Sequence, residues 1–422
     1  MTQSERYGII PPQAAGFNED RKENKTMSML NEKRKEELIS LTQKMVQAPS
    51  YSGQENLVVN VMKKFCDEHK FTDIHVDKYG NCICHIKGSK PGPKILFDGH
   101  MDTVPVPDKS KWDHDPFGAE IVDGKMYGRG TSDMKGALSA MLSAAVYYAE
   151  DANYDFPGDI YVAGVVHEEC FEGVAAREIS AYVKPDYVII GEASQLNMKI
   201  GQRGRAEIVV ETFGVPAHSA SPDKGVNAVY KMCKVIEEIN KLVPTHHDVL
   251  GDGILELVDV KSSPYPGASV VPDYCRATYD RRLLTGETKE SVLAPLQELL
   301  DRLMKEDPQL KAQVSYAVGK ESGWTGETIE AERFFPGWLF DKNEDWVQNI
   351  YKEMKAIGLN PTITNYDFCT NASHYAGEAG IRSVGVGPSL ETLAHTINEY
   401  IELEQLTKVM ESYYGVMKAL LK

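Results

Sequence analysis

The chain has 422 residues, more than one ordinary hydrophobic core accommodates, so we expect two domains. A formal net charge of −16 argues against nucleic acid or an anionic membrane surface as a partner, and no stretch approaches the eighteen or so apolar residues of a membrane-spanning helix. The seven cysteines are odd in number and scattered, which is typical of a reducing compartment, here the cytoplasm, rather than of a disulfide framework.

The first elements are an arm and two helices. Residues 1–26 are polar, contain Pro11-Pro12 and lack the apolar core of a secretory signal, so we expect a mobile arm over 1–29. Met27 and Met29 are alternative natural starts that the sequence leaves open. Helices are predicted over 31–46 and over 55–68, where apolar residues recur at helical spacing.

Three runs that follow have the character of buried strands, and each ends at an acidic or imidazole side chain. The runs 95–97, 160–166 and 187–190 lead into His100, Glu168-Glu169 and Glu192. The carboxyl ends of strands in open α/β sheets converge on the ligand crevice, so these groups are expected to meet there. A lone residue of this kind is more often a hydrogen-bonded core residue than a ligand, but three strand ends together favour a site.

Two further ligand candidates complete a predicted metal centre. Asp133 precedes a predicted Ala-rich helix over 137–148, and His395 lies near the end of the chain. Imidazoles and carboxylates in this number suit a two-metal hydrolytic site. The predicted ligands are His100, Asp133, Glu169, Glu192 and His395.

The pattern changes after residue 198. Strands and helices are expected in the order β-α-β-β-α-β, which is the ferredoxin-like unit. They cover 206–213, 226–242, 254–260, 274–283, 289–304 and 312–318. The chain then returns to the first domain with a helix over 344–358 and a strand over 382–387.

The predicted fold class is therefore α/β, with a central mixed sheet in the catalytic domain and an inserted ferredoxin-like α+β dimerisation or lid domain. We expect the arm at 1–29, the catalytic domain at 30–198 and 324–422, and the inserted domain at 199–323.

Seven ordered motifs from about residue 30 to the C-terminus carry a resemblance to a known family. They begin at Ser50, Gly99, Gly128, His167, Gly191, Gly214 and Ala394, and read SYSGQE, GHMDTVP, GRGTSDMKG, HEE, GE, GVPAHS and AHTINE. The chain resembles the metal-dependent peptidases and deacylases that include aminoacylase, acetylornithine deacetylase, succinyl-diaminopimelate desuccinylase and glutamate carboxypeptidase. Within that family it is most similar to a branch of peptidases linked to selenium metabolism, which names no substrate.

The resemblance implies roles for the ligand candidates. One ion would be held by His100 and Glu192 and the other by Glu169 and His395, with Asp133 shared between them. Two divalent ions are implied, zinc in the first place, with cobalt or manganese as alternatives that accept the same ligands. The family also implies a cis peptide bond between Asp133 and Met134.

Two acidic residues beside the ligands receive other roles. Asp102 follows His100 by two residues, where its carboxylate is expected to accept the second imidazole N–H and select the tautomer. Glu168 is the candidate general base that takes a proton from the attacking water and returns it to the leaving nitrogen. The alternative for Glu168 is a further metal ligand.

Two residues of the inserted unit complete the implied site. His218 resembles the family histidine that stabilises the oxyanion across a homodimer formed through residues 199–323; its alternative is an ordinary surface histidine. Arg282 resembles the arginine that receives a substrate carboxylate, a task that suits the guanidinium fork, although Arg281 is adjacent.

Three positions depart from the family pattern. His167 stands where an aspartate commonly precedes the acidic pair, Ser269 stands where several members have asparagine, and 369–375 replaces a Gly-rich Thr-Ser-Asp-Gly stretch of the desuccinylases. Desuccinylase or deacetylase specificity is therefore not carried over.

The function expected is that of an enzyme, a metallohydrolase that cleaves an amide bond next to a free carboxylate in a small molecule: an N-acyl amino acid, a small peptide or an N-carbamoyl compound. A thiol-dependent amidohydrolase using Cys170 is disfavoured because two adjacent glutamates raise the pKa of a thiol. A non-catalytic binding protein on the same fold is disfavoured because no ligand or base is missing.

Overall fold

A computed structural model of the chain describes residues 30–422; the predicted arm over 1–29 lies outside the described residues. The α-helices of this range are α1 (Glu32–Val46), α2 (Asn56–Glu68), α3 (Gly136–Asp151), α4 (Ala176–Val183), α5 (Ala228–Ile239), α6 (Lys289–Glu306), α7 (Asp345–Ala356) and α8 (Leu403–Leu420). Asn31, just before α1, accepts a hydrogen bond from the backbone N–H of Arg34, which is the usual way for a helix to begin.

The strands fall into a first and a second half. The first are β1 (Asp73–Val76), β2 (Cys82–Lys87), β3 (Lys90–His100), β4 (Glu120–Val122), β5 (Lys125–Tyr127), β6 (Pro157–Val165), β7 (Tyr187–Ile190), β8 (Met198–Gln202), β9 (Gly204–Phe213) and β10 (His246–His247). The second are β11 (Gly251–Asp252), β12 (Ile254–Ser263), β13 (Tyr274–Leu283), β14 (Lys311–Tyr316), β15 (Val318–Ser322), β16 (Thr328–Glu332), β17 (Phe334–Phe335), β18 (Trp338–Leu339), β19 (Ile363–Tyr366), β20 (Arg382–Gly385) and β21 (Tyr400–Glu402).

A nine-stranded sheet forms the larger layer, in the order β1-β2-β6-β3-β7-β20-β8-β18 with β19 beside β8. The four central strands β6, β3, β7 and β20 run parallel. β1, β2 and β18 pair antiparallel with their neighbours, and β8 pairs antiparallel with β20 and β18 but parallel with β19. The predicted mixed sheet is confirmed. Its central strands are almost continuously buried because helices such as α3, whose first fourteen residues are all buried, cover them.

A second sheet forms a separate hydrophobic core. Its strands are antiparallel in the order β12-β13-β9-β14, with β17 also pairing with β9. Along the chain its elements follow as β9, α5, β12, β13, α6 and β14, so the predicted ferredoxin-like order is confirmed. Buried side chains of α5 and α6 pack with those of the sheet in a cluster distinct from that of the large sheet.

Three predicted strands extend beyond their observed ends, and those expected over 160–166 and 382–387 end at Val165 and Gly385. The strand expected over 312–318 ends at Tyr316, because Val318 opens a hairpin in which β15 pairs with β16. The hairpin turns near Gly326, which has a φ of 90° that glycine adopts readily. Apolar residues on both sides of Ala317 concealed this boundary in the sequence.

None of the helices between residues 30 and 422 has the length and apolar character needed to cross a bilayer.

Candidate metal centre and active site

The central parallel strands bring the predicted ligands to one edge of the large sheet. His100 is the last residue of β3, Glu168-Glu169 follows β6 after two residues, and Glu192 follows β7 after one. Since β6, β3 and β7 are adjacent and parallel, their carboxyl ends lie side by side.

Asp133 lies between the two histidines. Its Oδ1 is 2.9 Å from Nε2 of His100, and its Oδ2 is 3.2 Å from Nε2 of His395. Nε2 of His100 is also 3.4 Å from Oε1 of Glu192, and Nε2 of His395 is 2.9 Å from Oε2 of Glu169. The five predicted ligands therefore form one contiguous group with Asp133 at its centre. The Asp133–Met134 peptide bond is cis, as predicted.

Burial and mutual repulsion dominate the electrostatics of these carboxylates. Burial, and then repulsion from Asp133, raises the pKa of Glu169 to about 7, and burial also raises the pKa of Glu192. Burial opposes charge on Asp133 as well, but hydrogen bonds from the two histidines outweigh it and hold its pKa below the usual range. Hydrogen bonds to Asp133 and Glu169 raise the pKa of His395 to about 10.

The cluster fits divalent cations. Four carboxylates and two imidazoles meet here, counting Glu168, and Oε1 of Glu169 is buried without a hydrogen-bond partner. Among residues 30–422, two triads have ligand atoms within 4.8 Å of one another: His100 with Glu168 and Glu192, and His100 with Asp133 and Glu169. Imidazole nitrogen and carboxylate oxygen are the ligands of zinc and of similar ions, and a cation would satisfy the orphaned oxygen.

Glu168 is 7% exposed and lines the cavity beside these groups. Burial, followed by repulsion from Glu192, raises the pKa of its carboxyl well above the usual range. A raised pKa suits a group that must accept a proton and then release it. Geometry alone permits Glu168 as a ligand too, because it belongs to one of the two triads.

Asp102 acts differently from the expectation. Nδ1 of His100 is 2.8 Å from the backbone carbonyl oxygen of Asp102, whereas the carboxylate Oδ1 is 3.6 Å away. The carboxylate instead accepts the backbone N–H groups of Glu168 and Glu169, at 3.1 and 3.2 Å, and the hydroxyl of Ser52 at 2.6 Å. The backbone carbonyl accepts the Nδ1 proton, which leaves Nε2 for a metal, and the carboxylate positions the acidic pair.

A cavity of about 360 Å³ opens over the cluster. Arg282 lines it, with its Nε 2.8 Å from Oδ1 of Asp280, while Arg281 points away and binds Glu287 at 2.6 Å. This distinguishes the two adjacent arginines. Cys369, at the start of the 369–375 departure, also lines the wall, together with residues that no sequence motif indicated: Arg205, which joins Glu172 and Asp280 at 2.9 Å each, and Phe368 and Glu391. Only the tertiary structure assembles this wall, since its residues come from distant parts of the chain.

His218 does not line this cavity. It is exposed, and its Nδ1 accepts a hydrogen bond from the backbone N–H of Ala220 at 3.0 Å. Within one chain His218 is thus separate from the metal cluster.

Two of the departures from the family pattern are buried. His167 has a φ of 57° and is 1% exposed, and neither of its ring nitrogens has a hydrogen-bond partner. Asn371 donates to Asp98 at 3.0 Å and accepts the backbone N–H of Gly173 at 2.8 Å, and Tyr375 donates to the other Asp98 oxygen at 2.8 Å. The 369–375 segment is therefore tied to the strand that carries His100.

Comparison with known proteins decides the family. The family described as Peptidase family M20/M25/M40 matches residues 96–419. The chain belongs to peptidase family M20/M25/M40. Uncharacterized protein YgeY of Escherichia coli (strain K12) is 30% identical over 361 residues, covering 84% of this chain and 87% of YgeY. Succinyl-diaminopimelate desuccinylase of Hydrogenovibrio crunogenus is 25% identical over 403 residues, covering 91% of this chain and 99% of the desuccinylase.

Two solved structures share the fold. Aminopeptidase PepT from Bacillus cereus superimposes with a TM-score of 0.72 at 22% identity and covers 94% of this chain and 100% of its own. The YXEP protein of Bacillus subtilis, a dinuclear metal binding peptidase from the M20 family, has a TM-score of 0.69 at 13% identity and covers 93% of this chain and 99% of its own.

Membership in this family and the ligand cluster make the chain a metal-dependent hydrolase of amide bonds. The thiol alternative loses support because burial raises the pKa of Cys170, aided by the negative charges of Asp102 and Glu321, and outweighs the opposite effect of a hydrogen bond with Ser52. A thiolate nucleophile needs the opposite shift.

Proposed function

We propose that the protein is a dinuclear metallohydrolase that cleaves an amide bond next to a free carboxylate. The observation that carries the proposal is the position of Asp133, whose two carboxylate oxygens each face a different histidine. His100 and Glu192 would hold one ion and His395 and Glu169 the other, with Asp133 shared. Zinc is the proposed metal.

The mechanism divides the work between metals and side chains. When bound, the two ions would supply Lewis acidity toward the amide carbonyl and lower the pKa of a water molecule, so that it can lose a proton and attack. Glu168 takes the proton of that water and later passes it to the leaving nitrogen. Asp102 holds the backbone N–H groups of Glu168 and Glu169, and so keeps the base and a ligand in register.

The substrate class follows from the cavity. Its volume of about 360 Å³ lies at the lower end of the range for small-ligand sites, which suits an N-acyl amino acid, a small peptide or an N-carbamoyl compound. The Nε of Arg282 binds Asp280, and its remaining N–H groups can bind a substrate carboxylate.

A substrate screen before and after metal removal tests this proposal. The chelated protein should lose activity and regain it with zinc, cobalt or manganese, against a panel of N-acyl amino acids, dipeptides and N-carbamoyl amino acids. Full turnover by protein that binds no metal would refute the metal mechanism.

The carboxylate requirement has its own test. Arg282→Met should raise KM for N-acyl amino acids much more than for the matching N-acyl amines, which lack the carboxylate. Arg276→Met is the matched control, because Arg276 lies on the same strand but does not line the cavity. Equal effects of Arg282→Met on both substrate types would reject the role of Arg282.

We further propose a homodimer formed through the inserted domain, taken as residues 199–323, in which His218 of the partner subunit stabilises the oxyanion. His218 is exposed and does not line the cavity of its own subunit, which supports this arrangement. We propose a cytoplasmic location, which the seven free cysteines support.

A further inference from the structure

Glu399 is a buried carboxylate that the mechanism above does not use. It lies four residues after His395, at the end of the last family motif, and is 0% exposed. Burying a carboxylate is costly unless it is paired and hydrogen-bonded.

The contacts of Glu399 reach the segment that carries Asp133. Its Oε1 accepts the backbone N–H of Ser132 at 2.8 Å and that of Asp133 at 3.1 Å. Its Oε2 accepts a hydrogen bond from Nη1 of Arg129 at 2.6 Å, and its own backbone oxygen accepts the N–H of Gly128 at 2.9 Å. One residue thus makes four hydrogen bonds to the six residues 128–133.

The two ligand segments are neighbours because of a strand pair. β5 and β21 pair antiparallel, with Tyr127 opposite Tyr400. Residues 128–133 leave β5 at the end where Glu399 enters β21, so the side chain of Glu399 spans the short gap between the segments. Arg129, which binds Glu399, also lies over Trp112, with its guanidinium carbon 5.3 Å from the centre of the ring.

We propose that Glu399 is a positioning residue that sets the distance between two metal ligands, Asp133 and His395. It fixes the backbone of Asp133 through that residue's N–H, and it belongs to the same five-residue segment as His395. The shared ligand is thereby held with one oxygen toward each histidine. This inference rests on the proposed ligand roles of Asp133 and His395.

Glu399→Gln tests the inference through metal affinity. A glutamine has one oxygen and one NH2 group, so in either orientation the NH2 faces donors, namely Arg129 or the N–H groups of Ser132 and Asp133. We expect the affinity for Zn²⁺, measured by competition with a chromogenic chelator, to fall by about 10- to 100-fold, the usual effect of losing a partner that orients metal ligands. The absorption bands of the Co²⁺-loaded protein should shift as well.

Glu287→Gln is the matched control. Glu287 also accepts a backbone N–H on one oxygen, from Leu284 at 2.8 Å, and an arginine on the other, from Arg281 at 2.6 Å, but it lies in the second sheet unit away from the ligands. We expect its zinc affinity to stay within about twofold of the unaltered protein. Equal losses in Glu287→Gln and Glu399→Gln would overturn the proposal, because they would show a general effect on stability.

Asp133→Asn, measured in the same titration, separates this inference from the proposed function. If Asp133→Asn loses zinc and Glu399→Gln does not, the positioning role is wrong and the ligand role stands. If Asp133→Asn binds zinc normally, both are wrong. Should Glu399→Gln be recovered unfolded, Glu399→Asp keeps the charge but shortens the side chain by one methylene, so that it no longer reaches both Arg129 and the backbone N–H groups of Ser132 and Asp133; unchanged zinc affinity in that variant would also overturn the proposal.

Discussion

At the scale of single residues, the site depends on two aspartates that each contact at least two partners. Asp133 meets a different histidine with each carboxylate oxygen, and adjacent Glu168 and Glu169 take different positions although one aspartate holds both backbone N–H groups. The side chain of Glu169 contacts His395, whereas Glu168 lies toward His100 and Glu192. Adjacent residues can therefore divide the work of base and ligand.

Glu168→Gln should remove the base and leave the metals. We expect zinc content and substrate KM close to those of the unaltered protein and a kcat lower by about a hundredfold or more, because an amide cannot accept the proton. Steady-state kinetics and metal analysis of the same preparation measure both quantities.

Glu169→Gln provides the contrast for that prediction, since it should lose zinc together with activity. A Glu168→Gln protein that behaves in the same way, poor in metal and with no specific defect in kcat, would make Glu168 a ligand and leave the base unidentified.

At the scale of elements, the catalytic edge is held in place by segments that are distant in the chain. Asn371 joins the strand of His100 to the segment after Glu169. Glu378, seven residues further along the chain, binds α4. Arg177 on α4 binds Glu378 with two hydrogen bonds, of 2.6 and 3.0 Å, and His374 adds a third at 2.8 Å.

The Glu378 contact predicts a pH-dependent stability. Burial raises the pKa of Glu378, but the hydrogen bonds from His374 and Arg177 outweigh it and lower the pKa to about 2. Because the folded pKa lies below the unfolded value of about 4.3, the stabilisation is present above that value and is lost as the pH falls toward 2. Glu378→Gln should therefore cost about 1–2 kcal/mol of unfolding free energy at pH 7 and progressively less below pH 5.

Urea unfolding of Glu378→Gln and of the unaltered protein from pH 7 to pH 3.5 measures this difference. Glu298→Gln, at an exposed position on α6, is the control and should show little change at any pH. A difference for Glu378→Gln that stays constant over this range would show that the carboxylate charge is not its source.

At the scale of the whole molecule, the cavity lies where the two sheet units meet. His100, Glu169 and Glu192 lie at the edge of the large sheet, and Asp133 and His395 lie in segments next to the β5–β21 pair, whereas Arg205, Asp280 and Arg282 come from β9 and β13 of the second sheet. Glu172 of the catalytic segment binds Arg205 across this junction at 2.9 Å. The proposed substrate-binding arginine and the proposed metal ligands thus belong to different units of one chain.

The proposed dimer extends this division to two chains. If His218 acts on the partner's metals, co-expression of His218→Ala with Glu168→Ala should restore activity that neither variant has alone. Half of the dimers would be hybrids with one intact site each, so roughly a quarter of all sites should recover.

Mixed dimers isolated with two different affinity tags should therefore show activity in about half of their sites. Co-expression of two copies of Glu168→Ala with the same tags is the control and should stay inactive. A cis arrangement predicts no recovery, so confirmed hybrids as inactive as their parents would reject the shared site.

The sequence by itself determined the mixed α/β class, the β-α-β-β-α-β unit and the group of five ligand candidates. It could do so because strand ends and helical periodicity are local patterns, and because parallel strands bring their carboxyl ends to one edge. It also determined the motifs on which the family rests. It identified Asp102 as the partner of His100, but it did not identify the backbone carbonyl oxygen of Asp102 as the acceptor.

Only the tertiary structure decided the contacts that depend on side chains from distant segments. The Asp102 carboxylate was expected on His100, yet the segment after β6 folds back and occupies it with two backbone N–H groups. Glu399 has no local signal that relates it to Asp133, 266 residues away, because the pairing of β5 with β21 creates that contact. The wall of Arg205, Glu172 and Asp280 arises in the same way, since ion pairs across a domain junction depend on how the two units pack and not on any spacing in the chain.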